Sequence, residues 1–405
     1  MKDWTIDKFV LGVFFILFGA YAYAIAGNNL KYISLIIGFT LLVSSVNFLK
    51  NLIYKPTIFI CSVLLFIFYI LLSFLLNQET FNVLTITFDL ICVALFVSGY
   101  YLARKSNNLI NIANITKVII FISIVIGNYY LIQLQLASKI GINTRDLGDD
   151  LNANGIAFIT AQILILLIWL TYLEKSFFYK IILITSIILV SGNLLFTESR
   201  GAILFLILTL IISFGFKLKK IFNLKLMLYF TLIGLVLSQI VNSSEFILQK
   251  IELTSERFGS AIDYFGSNKV DNSLGEREKL RKVFWNNYDQ MFFGQANYKP
   301  YPHNQILEIV MRWGIFGLPV LWLSLMSLKK SLSIILKRPD KKSFIFIISM
   351  LFLFTWLQSM TSLTLDNNRF LWLGFGFLLG YKKLSIKYPH IKYSNKSTLD
   401  HQRIT

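Results

Sequence analysis

The sequence predicts an all-α polytopic membrane protein of about twelve transmembrane helices with one large extracytoplasmic loop, since ~20 helical residues span a hydrocarbon core. Three observations carry this reading. Of 405 residues, 56% are hydrophobic. Apolar runs of about 20 residues recur along the whole chain. Most of the 39 lysines and arginines gather on alternate connections between those runs, the positive-inside pattern of a multi-pass protein.

The expected spans lie near 9–26, 30–49, 57–76, 83–103, 118–137, 155–173, 179–197, 201–216, 226–242, 314–336, 343–363 and 369–381. Basic residues such as Lys217, Lys219, Lys220, Lys329, Lys330, Lys341 and Lys342 flank them on one side, which places both termini in the cytoplasm. The first span begins at Phe9 after a short charged segment and lacks a small-residue cleavage site, so it reads as a retained anchor. No internal repeat or separate soluble domain interrupts residues 1–405, which read as a single integral membrane domain with a short polar tail at 382–405. The net charge of +18 follows from helix-flanking lysines facing anionic lipid and does not imply nucleic acid. Cys61 and Cys92 both lie inside apolar runs and offer neither a disulfide framework nor a metal cluster.

Polar residues collect on the outer side. They form the turn Gly27-Asn28-Asn29, a loop at 138–154, the tight turn Thr197-Glu198-Ser199-Arg200-Gly201, the long segment 243–313, and Asp366-Asn367-Asn368-Arg369. We expect these to converge into one extracytoplasmic cavity.

Within the long segment, Ser273 followed by Glu276 has the form of a capping box and predicts a helix over 274–291. Arg277, Arg281, Phe284, Trp285 and Tyr288 then share one face. Guanidinium forks bind phosphate oxygens and aromatic rings stack on sugars or lipid, so the face suits a pyrophosphate or a glycan. It equally suits an amphipathic helix lying on the membrane surface.

His303 is the one histidine outside the terminal tail and sits in Tyr301-Pro302-His303-Asn304. The residues that follow, Gln305-Ile306-Leu307-Glu308, read as a helix start. A helix N-terminus disfavours imidazolium, keeping a histidine neutral and able to accept a proton, and it attracts anions. The bland reading is a surface histidine at a loop end. Arg200 sits between two apolar runs at the membrane surface, where it either snorkels to lipid phosphate or holds a ligand.

These elements in this order resemble the O-antigen ligase and O-antigen polymerase superfamily of bacterial envelope enzymes. The resemblance rests on Thr197-Glu198-Ser199-Arg200-Gly201-Ala202, on Ser273-Leu274-Gly275-Glu276-Arg277 ahead of Trp285, and on His303-Asn304 followed by Gly314-Ile315-Phe316-Gly317-Leu318. It covers roughly 150–320. In two places this chain departs from the family's pattern. Where relatives often show Pro-Asn it reads Leu151-Asn152-Ala153-Asn154, and the glycine-rich step before the histidine is reduced to Gly294-Gln295-Ala296-Asn297.

The resemblance implies a GT-C-type fold that transfers a glycan from undecaprenyl diphosphate to an acceptor hydroxyl on the periplasmic face of the bacterial inner membrane. It implies that Arg200 and Arg277 hold the diphosphate and that His303 activates the acceptor. Arg281, Trp285, Asn304, Glu308 and Asn154 would line the substrate site. No cofactor or metal is expected, because the first outer loop, Gly27 to Lys31, lacks an acidic pair. The implied partners are the lipid-linked donor, membrane lipid, a chain-length regulator protein, and as acceptor either a lipid-linked repeat unit, for a polymerase, or lipid A core, for a ligase. The reading leans to polymerase. A transporter or flippase of lipid-linked oligosaccharide is the alternative from another class, and would place ionisable residues at the bilayer midplane in repeat-related broken helices.

Overall fold

The computed structural model describes residues 12, 15–16, 33–38, 40–41, 91–100, 103, 153–215, 252–260, 263, 272–288, 292, 294, 302–337, 343–361, 365 and 368–381. The spans expected at 57–76, 118–137 and 226–242 and the tail at 382–405 lie outside these residues. Among the described residues there is no strand. The helices are α1 (Ala153–Leu173), α2 (Phe177–Phe196), α3 (Arg200–Phe214), α4 (Asn272–Asn286), α5 (Gln305–Trp313), α6 (Leu318–Lys337), α7 (Phe344–Ser359) and α8 (Arg369–Gly380). Further helical stretches run over 91–100 and 252–260.

Three described helical stretches are long and apolar enough to cross a membrane: Asn154–Leu173, Phe177–Phe196 and Gln305–Lys337. The last was expected as a single span over 314–336. It starts earlier because α5 leads into a four-residue 3-10 turn, Gly314–Gly317, before α6 begins. Gly314 has φ 53°, a left-handed conformation in which glycine carries no Cβ penalty, and this ends α5 as a separate piece.

α7 organises the bundle. Its sequence is apolar all round, and it is buried from Ile345 to Thr355, as expected of a helix with neighbours on every side. It packs on α1, α3, α6 and α8. One core joins α1 to α2, α3 and α7 through residues such as Phe158, Ala202, Phe346 and Phe354. A second joins 91–100 to α5, α7 and α8 through Leu95, Ile309, Phe352 and Phe375. Gln162 Nε2 donates to Thr355 Oγ1 at 3.2 Å and Ser331 Oγ to the Ser349 carbonyl at 2.8 Å, the interhelical polar contacts that tie apolar helices together. On the opposite flank, α2 leaves Phe177, Phe178, Ile181, Ile182, Leu189 and Leu195 exposed, a surface suited to acyl chains.

Candidate active site

The turn between α2 and α3 is held in an uncommon shape. Glu198 has φ 54° and is buried. Its carboxylate lies 3.7 Å from Arg257 Nη1, and the same guanidinium donates to the Glu198 carbonyl at 3.0 Å. Thr254 Oγ1 donates to the Leu195 carbonyl at 3.2 Å, so the stretch 252–260 closes over this turn. Arg200 opens α3. Its Nη1 donates to the Arg257 carbonyl at 2.6 Å and reaches Ser260 Oγ at 3.5 Å. Ser199 is the N-cap of α3, yet its side chain does not cap the helix. The hydroxyl instead donates to Asn154 Oδ1 at 3.3 Å. Thus the expected residues Asn154 and Arg200 belong to one polar cluster, which also takes in Glu198, Arg257 and Ser260, none of them singled out as a site residue from the sequence.

The second part is built from α4 and α5. The helix expected over 274–291 is observed as Asn272–Asn286. It ends because Asn287 turns back, its Nδ2 donating to the Val283 carbonyl at 2.8 Å and its backbone N–H to Phe284 at 3.1 Å. Phe284 is buried with Met311, packed by Leu307 and Val310 of α5. Trp285 and Tyr288 are exposed, and Trp285 meets the Phe284 ring edge-on at 5.0 Å.

Two left-handed glycines, Gly294 ahead of α5 and Gly314 at its end, pack against each other. A Cβ on Gly294 would lie 2.5 Å from the Arg312 carbonyl oxygen, and one on Gly314 would strike Phe292 O and Gly294 N. Ile315 N–H donates to the Phe292 carbonyl at 2.9 Å. Only residues without a side chain permit this contact, which fixes the end of the loop against the end of α5. The reduced glycine step noted in the sequence therefore keeps Gly294, whose close contact with α5 leaves no room for a side chain.

His303 precedes α5 with φ 50°, a conformation that histidine tolerates better than most residues but that still carries strain. Asn304 is the N-cap of α5. Its Oδ1 accepts from Ile306 and Leu307 N–H at 3.0 and 3.1 Å. His303 is half-buried, and its pKa is held below the ordinary 6.5, first by burial and then by the positive charges of Arg277 and Arg281. Desolvation and nearby cations both disfavour imidazolium. The field of both α4 arginines therefore reaches this ring and disfavours its charged form.

Glu308 is buried. Both of its carboxylate oxygens accept from Leu365 N–H, at 3.1 and 3.0 Å, and Arg312 Nε lies 3.6 Å away.

The end of α7 joins the two parts, which the sequence did not reveal. Expected to run to 363, this helix stops at Ser359, with Met360 and Thr361 in a turn. Gly201 sits against Thr361 Oγ1 and the Gln358 amide, with a built Cβ 3.4 and 3.8 Å from them. The next residue, Ser359, donates its hydroxyl to Gln305 Oε1. Gln305 Nε2 in turn donates to Ser324 Oγ at 2.7 Å. Consecutive residues of α7 thus touch the residue after Arg200 and the helix that follows His303. The polar run Gln358-Ser359-Met360-Thr361 at the end of an apolar helix was the available signal.

The family described as O-antigen ligase matches residues 185–322. That segment contains Arg200, α4, His303 and α5, and stops before α7. Over that segment the chain is similar to the O-antigen ligase family. No curated protein and no solved structure matches it. The helices long and apolar enough to cross a membrane, together with this family match, point to a membrane protein.

Proposed function

We propose that this protein transfers an undecaprenyl-diphosphate-linked glycan to an acceptor sugar hydroxyl on the periplasmic face of the bacterial inner membrane, as a repeat-unit polymerase for O-antigen or a related surface polysaccharide. The observation that carries the proposal is a half-buried His303 whose pKa is lowered by burial and by the charges of Arg277 and Arg281, on a helix start linked through the end of α7 to the turn bearing Arg200. A neutral imidazole with fixed guanidinium groups suits base-assisted displacement of an anionic leaving group.

In the proposed step the acceptor hydroxyl gives its proton to His303 as its oxygen attacks the anomeric carbon. The bond from that carbon to the diphosphate breaks with its electron pair leaving on the diphosphate, and configuration inverts. Arg200 and Arg277 take up the charge on the departing group, the task a divalent cation performs in other enzymes. Arg281 and exposed Trp285 would receive the diphosphate and sugar. Asn154 and Asn304 would line the site beside the turns they support. Activity persisting in excess chelator is expected, and strict dependence on added Mg²⁺ would remove the metal-free step.

Deleting the gene separates the acceptors. Loss of a polymerase leaves lipid A core carrying at most one repeat unit, which gel electrophoresis of lipopolysaccharide resolves. Bare core with long lipid-linked polymer accumulating in the membrane would identify a ligase. Normal long-chain surface glycan in a strain without a paralogue would contradict both. For orientation, a cysteine at Ser267 should react with an impermeant thiol reagent in spheroplasts after removal of Cys61 and Cys92, and one at Ser394 should not.

A further inference from the structure

We propose that Glu308 is a positioning residue, whose carboxylate clamps the α7–α8 connection to α5 and so sets where His303 stands. The inference rests on the proposed base role of His303 and adds to it the device that places the base.

Leu365 is held from two sides. Its N–H is shared by both Glu308 oxygens, while its carbonyl accepts from Trp372 Nε1 at 2.9 Å and lies 3.9 Å from Cys92 Sγ. Its side chain is 1% exposed. The clamp therefore joins α5, α8 and the stretch 91–100 at one residue.

Gln305 and Glu308 are three residues apart on α5 and share a face. Gln305 receives the Ser359 hydroxyl at the start of the α7–α8 connection, and Glu308 receives Leu365 N–H further along it. One face of α5 is thus fastened to the last residue of α7 and to Leu365 beyond it. Asn304 caps the same helix, and His303 immediately precedes it. Rotation or sliding of α5 would carry the imidazole with it.

A buried carboxylate is costly unless hydrogen-bonded and paired. Leu365 N–H and Arg312 supply both conditions. A charged acceptor forms roughly twice as strong a bond as a neutral one, which favours one geometry over its neighbours. Misplacing a reacting group by about 1 Å can cost ~10²-fold in rate.

The test uses the full-length protein in lipid nanodiscs with a lipid-diphosphate-linked donor. Amide hydrogen exchange is followed in the peptide over 360–368, and kcat and donor KM are measured on the same preparations. Glu308→Ala should speed exchange there and lower kcat by ~10²-fold at unchanged donor KM. Glu308→Gln, which keeps an acceptor for Leu365 N–H, should recover most of the rate. Unchanged exchange in Glu308→Ala overturns the clamp whatever the activity. A raised donor KM with kcat retained overturns it too, because Glu308 would then touch substrate. If Glu308→Ala fails to accumulate, Glu308→Asp draws the carboxylate back by one methylene. It should show the same kcat loss at unchanged KM, and a wild-type kcat overturns the proposal. Failure of the base role is read separately, as activity retained in His303→Ala, and leaves the exchange result standing.

Discussion

The Arg200 turn and the His303 turn are built on opposite principles. Around Arg200 the positions are fixed by hydrogen bonds, with one guanidinium on the Arg257 carbonyl and another holding Glu198 by both side chain and backbone. Around His303 the backbone is fixed by a glycine contact and an asparagine cap, while burial and then the charges of Arg277 and Arg281 lower the pKa of the ring, with Arg281 on an exposed position. The first arrangement suits a group that must hold an anion in place, because preorganised donors need no rearrangement as charge develops. The second suits a group that must change protonation state, because burial and nearby charge set that state.

The sharpest break in this comparison is Arg200→Lys. A lysine keeps the charge but loses the planar fork, so transfer should fall by ~10²–10³ in a rate assay with protein levels unchanged. If geometry at this turn were unimportant, the lysine variant would stay active.

Arg277→Gln should cost less, on the order of tenfold, because a charge partly open to solvent is screened. Its more specific effect is on pH. His303 accepts a proton only when neutral, so the rate rises with pH through its pKa and then levels. A depressed pKa keeps the base available below the ordinary histidine range. Removing the Arg277 charge moves that pKa upward, and the acid limb of the pH–rate profile should shift to higher pH. A shift to lower pH, or none, would mean that α4 does not tune the ring.

Gly294→Ala tests the backbone part. Its φ of 79° and the contact with the Arg312 carbonyl make any side chain strained, at about 1–3 kcal/mol. Thermal unfolding should begin at lower temperature, with the His303 region loosened first. Trp285→Ala is the mildest case. The ring is exposed and packs on Phe284, so its loss should leave stability intact and raise substrate KM by roughly fivefold, the value of one stacking contact.

Much of this was legible in the sequence because it depends on local residue type. The span expected at 155–173 is observed as Asn154–Leu173 and that at 179–197 as Phe177–Phe196, since long apolar runs leave a chain few choices. The helix that bears Trp285 was expected from the pattern Ser273 then Glu276 at its start. Its early end was not, because Asn287 stops it with a side-chain bond that periodicity does not encode. The break at Gly314 was missed for a related reason. A glycine in an apolar stretch signals a close approach only once the partner, here Phe292 with Gly294, is known. The long-range links were illegible altogether. Glu308 meets Leu365 and Ser359 meets Gln305 across more than fifty residues, and no spacing rule reaches that far.

The most direct measurement is single-turnover glycan transfer by His303→Ala, with binding of the lipid-diphosphate donor recorded on the same preparation. With His303 as the base and Arg200 in a separate, hydrogen-bonded turn, donor binding should be retained while the transfer rate falls by ~10²–10⁴. Near-normal transfer by the alanine variant would contradict the assignment of the base.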